Sequence, residues 1–86
     1  MGWSNEDYYL AAVRQNGYTL GCVKNQHQTK EVCLAAVKQN GLALQFVKNQ
    51  TLEICLVAIE QNKRAFKFID KDKFPDAYLF HKLLFS

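Results

Sequence analysis

Three cysteines, two histidines and a run of lysines are the side chains in this 86-residue sequence best suited to chemistry. Zinc ligands come as cysteine and histidine at short spacings. Cys22, Cys33 and Cys55 form no close-spaced pair, and His27 and His81 stand at no ligand spacing to each other or to a cysteine. An odd number of thiols cannot complete an intrachain disulfide framework. A catalytic nucleophile needs a base within hydrogen-bond reach and a place for developing charge, and neither a glycine-rich phosphate loop nor a nucleophile elbow is present. Glu6, Asp7, Glu31 and Glu53 are explained as charges at helix starts. The expectation is a non-enzymatic protein with no metal and no cofactor.

Positive charge is densest between Lys63 and Lys73, where Lys63, Arg64, Lys67, Lys71 and Lys73 gather and Asp70 and Asp72 dilute them. Phe66, Phe68 and Phe74 interleave, a composition used by surfaces that bind single-stranded nucleic acid. Phe66 and Phe68 nevertheless fall in register with Leu44 and Phe46, which look like core, so a solvated basic face is the plainer reading. A net charge of +3 permits an acidic partner without demanding one. The C-terminal segment carries Ala77, Tyr78, Leu79, Phe80, Leu83, Leu84 and Phe85, too apolar for one neighbouring hairpin to cover, and an exposed apolar patch marks a protein interface. Trp3, Tyr8 and Tyr9 raise the same question at the other end. Arg64 stands where Tyr18 and Leu42 are apolar. The candidate partner-binding residues are therefore Arg64, Lys67, Lys71, Lys73, Tyr78, Phe80, Leu84 and Phe85.

What must position these residues is a repeat. Residues 7–26 (DYYLAAVRQNGYTLGCVKNQ), 31–50 (EVCLAAVKQNGLALQFVKNQ) and 53–72 (EICLVAIEQNKRAFKFIDKD) align without gaps at offsets of 24 and 22, with the two extra residues around His27 and Gln28. Each copy reads as two short helices. The first opens on Asn5 or Ser4, Thr29 and Thr51, whose oxygens can cap the first turn, and the dense apolar run Val32 to Val37 suggests burial on nearly every face. Gly17 and Gly41 follow Asn16 and Asn40, where a left-handed glycine would close the helix; Lys63 in the third copy implies a strained or differently bent turn. The columns Gln15-Asn16, Gln39-Asn40 and Gln61-Asn62, with Asn25-Gln26 and Asn49-Gln50, suit helix ends that need polar partners. In the same register Cys33 and Cys55 share a column with Tyr9, and Cys22 shares one with Phe46 and Phe68, so all three thiols are expected in the core. Leu34, Val37, Asn40 and Leu42 partly imitate a leucine-rich repeat, but its strand segment is missing.

The expected fold is all-α: a single domain over 1–86, with helix-hairpin repeats at 5–28, 29–50 and 51–72 stacked as a small α-solenoid. A closing helix is expected over 75–85, with Pro75 in its first turn. An apolar fraction of 49% argues for a folded chain. No stretch approaches ~18 apolar residues, so no membrane span is expected, and the unpaired cysteines suit a reducing cytoplasm.

The segments LAAVKQNG (34–41) and FVKNQ (46–50) resemble a repeat family known as a domain of unknown function. The resemblance covers residues 7–72. It implies a helical module, accessory or stand-alone, that occurs in tandem in bacterial, phage, giant-virus and intracellular-pathogen proteins and carries no assigned chemistry. Small free-standing proteins of this look are also similar to anti-defence proteins, among them inhibitors of the RNA-guided RNase of type VI CRISPR systems. The functional expectation is thus a protein-protein interaction module whose partner could be such a nuclease complex. RNA or DNA binding is one alternative, and a structural or self-associating unit is the other.

Overall fold

The computed structural model describes residues 4–79. Ser4, Thr29 and Thr51 each offer a side-chain oxygen to the amide three residues on, so that Asp7, Val32 and Ile54 donate at 3.1, 3.2 and 3.2 Å. An amide of each first turn, which has no partner within the helix, is thereby satisfied. Three α-helices start there: α1 (Asn5–Gln15), α2 (Lys30–Gln39) and α3 (Leu52–Gln61). Because Ser4 rather than Asn5 is the cap, α1 has 11 residues where the other two have 10.

Each of these three α-helices stops at an asparagine. Asn16, Asn40 and Asn62 share φ −152° with ψ of 106°, 108° and 110°, an extended conformation that breaks the helical path. Each Oδ1 then accepts the amide two residues on, from Tyr18, Leu42 and Arg64, all at 3.0 Å. One residue therefore ends an α-helix and caps the next element. That element, the second short helix expected from sequence, is a 3-10 helix: η1 (Gly17–Cys22), η3 (Gly41–Phe46) and η4 (Lys63–Phe68), with a short η2 (Asn25–His27) in the first connection. Six residues between an asparagine cap and an extended Val23, Val47 or Ile69 leave room for little beyond i→i+3 bonds.

The α-helices lie side by side in one layer and η1, η3 and η4 in a second. Helix α2 rests on η1 as well as η3, and α3 on η3 as well as η4. The core runs between the layers, where Val13, Leu20, Val32, Val37, Leu44 and Ile54 are fully buried. Each such side chain contributes roughly 1.5–3 kcal/mol by leaving water. The fold is all-α, with no strand among the described residues; residues 75–79 are helical. No helix among them is long and apolar enough to cross a membrane.

Two sequence expectations about the turns are corrected. No described residue has a positive φ, so Gly17 and Gly41 are not left-handed closures. Their role is close approach: a Cβ on Gly17 would stand 2.5 Å from the Ala36 carbonyl oxygen, and one on Gly41 would run into the Ala58 carbonyl. Lys63 brings no different bend, since Asn62 keeps the angles of Asn16 and Asn40. What demands glycine is the α-helix packed behind the turn, not the turn.

The thiols also divide. Cys33 and Cys55 are buried, but Cys22 is exposed. Phe46, its counterpart one pair on, packs back on the first pair, with its ring 6.0 Å from that of Tyr18 and set against Gly21. Among the described residues, no pair precedes the first for Cys22 to pack upon.

Candidate interaction surfaces

Glutamines tie each helix pair to the next and so fix the surfaces that the pairs present. Gln39 Oε1 accepts the Gly17 amide at 2.7 Å, and Gln61 Oε1 accepts the Gly41 amide at 2.6 Å. A second set lies at the connections. Gln28 Nε2 donates to the carbonyls of Val23 (3.3 Å) and Phe46 (2.9 Å) while its Oε1 accepts from the Lys48 amide at 3.0 Å. Gln50, which is buried, repeats this with the Phe68 carbonyl and the Asp70 amide, both at 2.8 Å. Asn16, Asn40 and Asn62 serve helix ends as expected, whereas these glutamines join neighbouring pairs. The counterpart of Gln50 is Gln28 rather than Gln26, because η2 absorbs the two extra residues upstream of it.

Held in this way, the α layer turns a regular stripe outward. On α1 it consists of Asp7, Leu10, Ala11 and Arg14, on α2 of Glu31, Leu34, Ala35 and Lys38, and on α3 of Glu53, Leu56, Val57 and Glu60. A shallow groove of about 580 Å³ lies between α1 and α2, floored by Leu10, Leu34 and Ala35 and walled by Arg14, Glu31, Lys38 and Gln39. It is followed by one of about 320 Å³ along Lys38, Val57, Glu60 and Gln61. Leu52 and Leu56 are about half exposed beside it, at 48% and 47%. Lys30 Nζ meets Glu53 Oε1 at 2.7 Å across the α2–α3 seam, and that hydrogen bond, with the attraction of the carboxylate, raises the lysine pKa.

The expectation that Val32 to Val37 is buried on nearly every face is thus corrected at Leu34 and Ala35, which are half-buried on the outer surface. The signal was present in the spacing i, i+3, i+4, i+7 from Asp7 to Arg14, repeated at 24 and 22 residues. The apolar density of α2 hid it.

The basic third pair is ordered differently from a stacking platform. Lys67 Nζ lies 5.3 Å from the Phe68 ring centre, Lys71 Nζ 5.9 Å from that of Tyr78, and Lys73 Nζ 5.6 Å from that of Phe74. Lys73 Nζ also donates to Asn49 Oδ1 at 3.0 Å, and the Tyr78 ring sits 5.9 Å from Phe66. The structure therefore brings Lys71 and Phe66 to Tyr78, and Lys73 to Phe74. Phe66, Phe68, Phe74 and Tyr78 are half-buried, and lysines of the chain lie over three of these rings, so this surface offers cationic head groups more than free ring faces. Arg64 is exposed at the start of η4; its column partners are surface residues too, Tyr18 exposed and Leu42 half-buried. Phe80, Leu84 and Phe85, like Trp3 and His81, lie outside the described residues.

His27 packs its ring 5.3 Å from that of Tyr9. Burial pushes the Cys33 and Cys55 thiols up to about 11, so they remain protonated and behave as small apolar groups. Among the described residues, no three of histidine, cysteine, aspartate and glutamate gather where they could hold a metal ion.

Fold and surface together define an all-α protein of α/3-10 helix pairs clasped in series. The chain belongs to the family described as a domain of unknown function, DUF4116, whose model matches twice, over residues 5–52 and 29–74. No curated protein and no solved structure is similar to it.

Proposed function

We propose that the chain is a non-enzymatic protein-binding module that holds its partner along the outer face of α1, α2 and α3. The observation that carries this reading is the groove of about 580 Å³ with the leucine column Leu10, Leu34 and Leu56 running across three helices. Charged walls around an apolar floor are the composition of a protein interface. The apolar tail and the third pair, with Tyr78, Phe80, Leu84 and Phe85, offer a second contact region to the same partner.

A second reading, contact with RNA or DNA, is favoured by the exposed charges of Arg64, Lys67, Lys71 and Lys73. With lysines lying over Phe68, Phe74 and Tyr78, it would act through phosphate contacts. A structural or self-associating role is the third reading, tested by light scattering over a range of concentrations.

An affinity capture from source-cell lysate, with and without nuclease, separates the first two. A stoichiometric protein that survives nuclease, is lost with Leu34→Asp and is kept when Lys67, Lys71 and Lys73 become Gln supports the leading reading. Recovery that vanishes with nuclease moves the function to nucleic acid. The narrowest form, inhibition of a type VI RNA-guided RNase, rests on the likeness of small free-standing helical proteins of this look to anti-defence proteins. It is tested by adding the protein to the target-activated nuclease and following reporter-RNA cleavage; undiminished cleavage at stoichiometric excess rejects it.

A further inference from the structure

Helix α1 presents to solvent the face that α2 and α3 bury against the pair before them. Val32 and Ile54 are 0% and 1% exposed, whereas Tyr8, in the same column, is 64% exposed. Ala36 and Ala58, whose carbonyls crowd Gly17 and Gly41, correspond to Ala12 on α1. The Ala12 carbonyl accepts the Asn16 amide at 3.1 Å, as those of Ala36 and Ala58 accept from Asn40 and Asn62 at 2.9 Å. The column of Gln39 and Gln61, the two acceptors of glycine amides, continues in Gln15, which is exposed. The helix thus carries the same carbonyl, the same glutamine and the same asparagine closure as the two internal seats.

We propose that this face of α1 is a docking surface for one further helix pair of the same kind, an α-helix and a 3-10 helix joined by Asn-Gly. It would be seated as the first pair sits on α2, with its glycine amide donating to Gln15 Oε1. Continuity with the internal interfaces selects this occupant, because the Ala12 carbonyl leaves no room for a Cβ at the turn. A second copy of this chain does not qualify, since its last pair turns on Lys63 and already carries the Tyr78 ring tilted against Phe66. The two ends are therefore unlike: the first accepts another pair and the last refuses one. Head-to-tail contacts that do not close would otherwise grow into fibres.

The test joins a copy of residues 29–50 directly to Ser4, in place of Met1–Trp3, so that the added glutamine precedes the Ser4 cap as Gln50 precedes Thr51. Docking predicts one cooperative unfolding transition at a higher Tm than the parent chain, and an added glycine amide that exchanges at least ~100-fold more slowly than in the isolated 22-residue peptide. Gln15→Ala should reduce that protection roughly tenfold, as loss of one such bond implies, and Gly41→Ala within the added copy should abolish docking. Exchange of the added amide at the peptide rate overturns the proposal, as does docking indifferent to both substitutions. A parent chain that forms a dimer dissolved by Tyr8→Glu assigns the face to a second copy and overturns it as well.

Discussion

The Gly41 amide and the Gln61 side chain meet at 2.6 Å across 20 residues of chain, joining the turn of one helix pair to the end of the next α-helix. The bond and the missing Cβ act together. Glycine lets the turn come close enough for the glutamine to reach it, and the glutamine satisfies an amide that this closeness removes from water.

Gly41→Ala and Gly17→Ala should therefore each destabilise the protein by about 1–3 kcal/mol, the usual cost of overpacking, measured by urea denaturation. Gly21→Ala is the control: there the atoms nearest a Cβ belong to the Phe46 ring, at 3.1 Å, and a ring edge gives way more readily than a carbonyl. Equal effects at positions 21 and 41 would show that the α-helix behind the turn is not what demands glycine.

Gln50→Leu removes the partners of the Phe68 carbonyl and the Asp70 amide at a buried site. Leaving such groups unpaired costs about 1–3 kcal/mol each, so the variant should lose at least about 2 kcal/mol. Gln28→Leu, at a half-buried site, should lose less. Hydrogen exchange at Asp70 and Lys48 would locate the loss, and unchanged protection there would refute the clasp.

These two glutamines also mark where the sequence was legible. Asn16, Asn40 and Asn62 could be read as helix ends because an asparagine oxygen acts within its own turn. Gln28 and Gln50 act across 18 to 20 residues, a distance at which alignment gives columns but not contacts. The close approach at Gly17 and Gly41 was invisible for the same reason, since it depends on a carbonyl in another helix. Leu34 misled in the opposite direction: a run that is apolar on every face cannot announce which face stays wet. Of the candidate site, the cationic cluster was legible, but the outer groove was not, and neither were the ring contacts of the lysines.

The thiols should separate cleanly. At pH 8, Cys22 should react with a thiol reagent in the folded protein, while Cys33 and Cys55, pushed up to about 11 by burial, should react only on unfolding. Between about 9 and about 11 the unfolded chain loses these protons first, so stability should fall as pH rises through that window. Stability that rises there, or three thiols titrating together at pH 8, would contradict the buried placement.

Replacing Lys67, Lys71 and Lys73 with Gln bears on the second functional reading. If the surface contacts single-stranded nucleic acid through phosphates, the slope of log affinity against log salt should shrink by ~0.7 for each contact removed. An unchanged slope would clear these lysines of that role.

Every substantial contact between elements in this fold joins neighbours in the series of pairs, so α1 meets α2 and α2 meets α3, while η1 meets η3 and η3 meets η4. Among the described elements none has to reach past its neighbours in the series. Closing only short loops costs little entropy, and folds dominated by near contacts form quickly. A nascent chain could therefore finish each pair as the next one emerges, with the glutamine of each connection latching onto its neighbour once the end of that neighbour is made.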